Sequence, residues 1–244
     1  MTAKLLIKAA RQLAAELNGL SFSAPVTHVY NPLEYAGAAH DQYLELWGGQ
    51  PQPRRVIFLG MNPGPFGMVQ VGVPFGEVAI AHDWLRINAP IHQPIAVNPK
   101  RPIEGWSCTR SEVSGRRLWG LFRDRFGTPE NFFAEHFVAN YCPLAFFDQG
   151  RNVTPDKLPA AEVAPVTEAC DAHLRTLVET LQPDWVVGVG AYAQAQADRA
   201  LAKSAHVTRV GRVLHPSPAS PAANRGWAEA ATKQLIEQGI WSND

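Results

Sequence analysis

The sequence is short of cysteine, of net charge and of long apolar runs, and each shortage excludes something. Only Cys108, Cys142 and Cys170 occur in 244 residues. They form no C-x-x-C pair and cannot supply the four thiolates of a structural zinc site or an iron–sulfur cluster. A sparse, odd count fits reduced, buried thiols rather than a disulfide framework. Neither sign of charge is in excess: 22 Lys plus Arg face 22 Asp plus Glu. Such a balance provides no bulk attraction to nucleic acid, membrane surface or acidic ligands. Taken alone, it weighs weakly against a DNA-binding protein. The segment 2–20 carries Lys4, Lys8, Arg11 and Glu16 among its apolar residues. It therefore reads neither as a signal peptide nor as a membrane span. An intracellular protein is expected, cytoplasmic if bacterial and nuclear if eukaryotic.

What is present describes an ordinary globular chain, 46% hydrophobic and 18% charged,. The length suits one domain over residues 1–244, with no repeat, low-complexity tract or clear linker. Leu5, Leu6, Ala9, Leu13 and Leu17 recur at helical spacing, and a second helix is expected from about Leu33 to Trp47,. Four short apolar runs read as buried strands: 55–60, 136–141, 184–190 and 206–214,. Helices are expected at 114–126, at about 164–181, at 191–202 and at 224–238. A Pro- and Gly-rich stretch from Met61 to Ser114 has little periodicity, and a loop of that length is usually functional. Residues 151–165 read as a second loop. Strands alternating with helices predict a three-layer α/β/α fold around a mainly parallel four-stranded sheet.

In such sheets ligands bind beyond the carboxyl ends of the strands. Three distinctive polar residues fall there. Asn62 follows the first strand within Gly-Met-Asn-Pro-Gly-Pro-Phe-Gly (60–67). Asn140 ends the second, within Asn-Tyr-Cys-Pro-Leu (140–144). His215 follows the fourth, within His-Pro-Ser-Pro (215–218). Taken singly, the glycine-rich turn, the amide and the stiff loop are each ordinary structural features. The 60–67 loop is neither a Walker A motif nor a dinucleotide-binding fingerprint. Their convergence on one edge is what points to a site.

Gly60 to Gly67, Gly72-Val-Pro-Phe-Gly-Glu77, Asn140 to Leu144, His215-Pro-Ser-Pro and Asn224-Arg-Gly-Trp227 together resemble the uracil-DNA glycosylase superfamily. The likeness is to its single-strand-selective monofunctional uracil-DNA glycosylase family in particular. Tyr30-Asn-Pro-Leu-Glu-Tyr35 and Ser111-Glu-Val-Ser-Gly115 extend it, so that it runs in order from about Val26 to Trp227. The resemblance implies hydrolysis of the bond between deoxyribose and uracil, and of some C5-oxidised uracils such as 5-hydroxymethyluracil. It implies a uracil-containing single- or double-stranded DNA partner and an abasic product. It implies no cofactor, no metal, no membrane and a monomer. The target base must leave the stack, at a cost of a few kcal/mol in duplex and less in single strands.

The implied roles agree with the chemistry of the residues. Asn140 offers a donor and an acceptor that can meet uracil O4 and N3–H together. Something must lock that amide, because a flipped one would suit cytosine. Phe75 is a stacking platform, and base–aromatic stacking contributes about 1–3 kcal/mol. Backbone at Met61 and Gly64 approaches the base edge. His215 donates to uracil O2 as charge gathers there, and removing one such donor costs about 2.7–4 kcal/mol of barrier. Asn62 is not basic but can orient a water towards the sugar. Glu77 and Asp83 are better read as solvated loop charges than as helpers. Ser217, Pro218, Ala219, Ser220 and Arg225 belong to the segment that enters DNA behind the flipped base. Ala219 stands where a larger basic residue occurs in the family, which predicts a weak wedge. Locally basic stretches at 100–125 and 199–233 would supply phosphate contacts,. The alternatives are a glycosylase of the same superfamily preferring deaminated purines (hypoxanthine or xanthine), or a noncatalytic nucleic-acid-binding module.

Overall fold

The computed structural model describes residues 1–50 and 53–243. The chain opens with α1 (Thr2–Asn18), whose buried residues Leu6, Ala10, Leu13, Ala14 and Leu17 form one face,. Next come β1 (His28–Tyr30), α2 (Pro32–Tyr35) and α3 (Gly37–Tyr43). Then follow β2 (Val56–Gly60), the short α4 (Met68–Val71), α5 (Val113–Phe126) and α6 (Pro129–Glu135). β3 (His136–Asn140), β4 (Ala145–Asp148) and β5 (Arg151–Val153) precede the long α7 (Ala160–Leu181). β6 (Trp185–Val189), α8 (Ala191–Leu201), β7 (Arg209–Val213), α9 (Pro221–Asn224) and α10 (Trp227–Glu237) complete the order.

β3, β2, β6 and β7 lie side by side in that order, every pair parallel. The two inner strands are apolar because helices cover both of their faces. Gly188 stands so close to α8 that an added Cβ would lie 2.6 Å from the Gln194 Cα. Phe58, on the other face, packs against Phe122 of α5 and against Trp241. The result is an α/β/α sandwich. Gly60 pairs with Asn140 and Val189 with Val213, so the carboxyl ends of all four strands are level. That register brings Asn62, Asn140 and His215 to one edge.

Three sequence expectations need correction. The helix expected from Leu33 to Trp47 is broken into α2, α3 and a π-helical turn at Leu44–Gly48. The break falls at Ala36, whose carbonyl lies against the bare Gly72, a tertiary contact that no local pattern records. The expected loop 151–165 instead holds β5, a 3-10 turn at Pro155–Lys157 and the first turns of α7. Pro165 lies inside α7, although still within its N-terminal part. Beyond the four expected strands, β1, β4 and β5 form a separate antiparallel sheet. Strands of three or four residues are too short to show a period. The last helix also divides, into α9 and α10 around Gly226 at φ +135°.

Candidate active site

A cleft of about 760 Å³ opens at the carboxyl edge of the parallel sheet. Met61, Asn62, Gly64 and Phe75 line it from the Pro/Gly-rich stretch, and Asn140, His215, Ser217 and Pro218 line it from the later strand ends. Ala219, Ser220 and Arg225 stand outside its lining. Ala219 and Arg225 are exposed, and the Ser220 side chain caps α9 by accepting from the Ala223 N–H.

The three polar residues are oriented by what their other ends touch. β2 and β3 stay zipped past their ends, because Tyr141 N–H donates to Gly60 O at 2.8 Å and Cys142 N–H to Met61 O at 2.9 Å. On that platform Asn62 Nδ2 donates to the Leu144 carbonyl at 3.3 Å. A carbonyl only accepts, so the amide nitrogen must face Leu144, and Oδ1 remains to accept from a water. Asn140 Nδ2 lies 3.1 Å from the Met68 sulfur. A thioether also only accepts, so it selects one of the two amide orientations.

His215 is half-buried, and burial holds its imidazole below the usual histidine pKa. It is therefore neutral at physiological pH. The Ser217 backbone N–H donates to His215 Nδ1 at 3.1 Å. Nδ1 must then be the bare nitrogen, and the single proton sits on Nε2. Gly190, at φ +97°, makes room for the ring: a Cβ there would lie 3.1 Å from the His215 Cβ. The loop after His215 is clasped to α5. Arg117 donates to Pro216 O at 3.0 Å and to Asn224 Oδ1 at 2.9 Å, and Asn224 Nδ2 donates to Pro218 O at 2.9 Å.

Phe75 stands in a strained turn with φ +53°, a region that costs a non-glycine residue about 1–3 kcal/mol. Two neighbours hold it there. The Trp119 indole donates to Pro74 O at 3.1 Å. Gly115 packs so closely that a Cβ would lie 3.0 Å from the Phe75 carbonyl carbon. The ring is thereby presented to the cleft, its centroid 6.5 Å from that of His215.

Among the further residues that line the cleft, and that sequence reasoning did not single out as site residues, are Arg110, Glu112, Asn152 and Thr154. The last two belong to the stretch read as a loop and carry no motif. Glu112 lay within the quoted Ser-Glu-Val-Ser-Gly resemblance, which was its one signal. Arg110 lies with its guanidinium 3.7 Å from the centroid of Phe66. Glu77 accepts the Ile80 N–H at 3.1 Å, and Asp83 is exposed beside His82. Among the described residues no group of three or more His, Cys, Asp or Glu gathers as a metal site. All three cysteines are buried and free, and no described helix is long and apolar enough to cross a membrane.

A parallel α/β sheet with an Asn, an Asn and a His at its carboxyl edge defines a class. The chain belongs to the uracil-DNA glycosylase superfamily, whose family model matches residues 48–237. Within that class it belongs to the single-strand-selective monofunctional uracil-DNA glycosylases. It is 48% identical over 230 residues to the single-strand selective monofunctional uracil DNA glycosylase of Bos taurus, covering 94% of this chain and 84% of the relative. The Mus musculus protein of the same name is 47% identical, covering 94% of this chain and 82% of the relative. A crystal structure of Pedobacter heparinus SMUG2 shares the fold, with a TM-score of 0.63 at 19% identity, covering 96% of this chain and 95% of that one. The protein is a DNA-binding hydrolase of base-excision repair, a uracil-DNA glycosylase.

Proposed function

We propose that the chain acts as one domain and as a monomer, inside the cell, releasing uracil and C5-oxidised uracils such as 5-hydroxymethyluracil from single- and double-stranded DNA. One observation carries this reading: Asn62, Asn140 and His215 each present a defined donor or acceptor to the same cleft, beside the Phe75 ring. The flipped base stacks on Phe75, while Asn140 meets N3–H and O4. Backbone at Met61 and Gly64 flanks the base edge. The His215 Nε2–H donates to O2 as the C1′–N1 bond breaks and its electron pair moves onto the base. A donor already in place needs no reorganisation when that charge appears. Asn62 Oδ1 holds the water whose oxygen bonds to C1′ and whose proton passes through solvent to the departing uracil anion, leaving the abasic sugar.

A lyase step would need an amine nucleophile on the sugar. Loops 60–67, 72–77, 110–115, 140–144 and 215–224 contain no lysine, which supports hydrolysis alone. Ser217, Pro218, Ala219 and Ser220 follow His215 and act as the wedge, with Arg225 at the backbone beyond. Neutral overall charge is compatible with this, since a few phosphate contacts are enough and make affinity fall with salt.

The test is a panel of oligonucleotides carrying uracil, 5-hydroxymethyluracil or hypoxanthine, each single-stranded and in duplex. Release of both uracils is expected, with the strand intact until hot alkali is added. Preferential release of hypoxanthine would replace the uracil reading by the purine one, and no release at all would leave a binding module. Strand cleavage trapped by borohydride would refute the monofunctional mechanism.

A further inference from the structure

Glu112 is the only Asp or Glu among the described residues that line the cleft. Its Oε2 accepts the Phe66 backbone N–H at 3.2 Å. A Cβ on Gly64 would stand 2.6 Å from the Glu112 carboxyl carbon, and one on Gly67 would stand 2.9 Å from its Cγ. The two bare glycines are thus what let the Glu112 side chain lie along the loop that begins with Met61 and Asn62. Glu112 also directly precedes α5, whose Gly115 abuts the Phe75 turn. One side chain therefore joins the loop of the water-holding Asn62 to the helix behind the stacking ring.

We propose that ionised Glu112 is a positioning residue for the hydrolysis, holding loop 61–67 so that Asn62 delivers its water to C1′. The role rests on the glycosylase mechanism above and adds a group to it. A carboxylate accepting a backbone N–H makes a charge-assisted bond, which a neutral acceptor would weaken. Burial raises the Glu112 pKa above the ordinary carboxylate range, while the backbone N–H groups of Phe66 and Ser114 pull it partly back. On acidification Glu112 thus takes up its proton earlier than an exposed glutamate, the grip on Phe66 weakens, and hydrolysis slows. The other charged or titratable groups lining the same cleft are Arg110 and His215, with the exposed Arg116 and the half-buried Arg117 on α5 and Glu77 beside Gly115. Arg117 is turned to Pro216 and Asn224, and Glu77 to Ile80. His215 is thus the one rival source of an acid limb.

The experiment is single-turnover release of uracil from a single-stranded oligonucleotide, followed from about pH 5 to about pH 8. Wild type, Glu112→Gln, Glu112→Asp and His215→Gln are compared, with melting temperature and affinity for an abasic-analogue oligonucleotide measured alongside. Wild type should show an acid limb above the ordinary carboxylate range. Glu112→Gln should be about tenfold slower at neutral pH and lose the limb, with affinity unchanged. Glu112→Asp keeps the charge on a shorter stem and should be slowed but keep the limb, which retains the test should the Gln variant fold poorly. His215→Gln should be slow at every pH yet keep the limb. A limb that vanishes in His215→Gln, or a Glu112→Gln of unchanged rate and profile, overturns the role. A wild type that releases no uracil overturns the glycosylase mechanism and this role with it, whereas an active wild type beside an unaltered Glu112→Gln overturns the role alone.

Discussion

A methyl group added at Gly60 tests the base-reading half of the site. Gly60 is the last residue of β2 and pairs with Asn140 of β3. Its φ lies outside the left-handed region, so alanine suits the backbone, and the effect of Gly60→Ala is purely steric,. The new Cβ would stand 2.8 Å from Phe75 Cζ, and nearer still to Phe75 Cε2 and Asn140 Oδ1. Ordinary carbon contacts begin at about 3.5 Å, so ring and amide must each retreat by roughly 1 Å. Neither moves freely: the Phe75 turn is pinned by Trp119 and Gly115, and the Asn140 amide by Met68. A misplacement of about 1 Å costs on the order of a hundredfold in rate, or about 2.7 kcal/mol of barrier. Overpacking of this kind also destabilises the fold by about 1–3 kcal/mol. The assay is single-turnover uracil release with a melting curve on the same sample. A folded Gly60→Ala protein within about threefold of the wild-type rate would refute the placement of Phe75 and Asn140 about the base.

Other perturbations address the loop, the wedge and the buried histidines. Arg117→Ala removes both bonds that clasp the His215 loop and should slow uracil release at least about tenfold. Arg117→Lys should recover little, since an ammonium does not reproduce the guanidinium fork, and a full recovery would dismiss the clasp. Ala219→Arg enlarges an exposed wedge residue and should raise activity on duplex more than on single strands; equal activity ratios before and after would dismiss the weak-wedge reading. His40 and His136 are buried and His173 half-buried, and burial lowers the pKa of each, to about 4 for His136 and for His173. In the unfolded chain they titrate near about 6.5. Below that pH the unfolded state binds protons first, so their contribution to stability is whole above about pH 6.5 and drains away towards about pH 4. The melting temperature should fall steadily across that window, and a flat profile would contradict the burial of these rings as neutral groups.

Much of the architecture is legible in the chain because its four parallel strands are bounded by Gly, Pro or Asn and their inner members are covered on both faces. Arg55 to Gly60 and Asp184 to Gly190 announce themselves in this way,. So do the helices with one apolar face, such as α1. The small antiparallel sheet does not, since β1 and β5 have three residues each, and β1 pairs with β4 far along the chain. Nor does the break at Ala36, where the chain packs against Gly72.

For the site, sequence alone determined which residue types stand at the strand ends: Asn62, Asn140 and His215, each fixed to an edge by the parallel topology. It also placed the glycines that allow close approach. Only the tertiary structure decided what those side chains present. Leu144 turns Asn62, Met68 turns Asn140, and the Ser217 amide makes His215 a donor through Nε2. Glu112 and Arg117 acquire their meaning the same way, from carbonyls and amides 46 and 99 residues distant. An amide or imidazole carries no orientation in sequence, because donor and acceptor ends are exchanged by a rotation or a proton shift. The direction is set by partners that folding alone brings within hydrogen-bond reach.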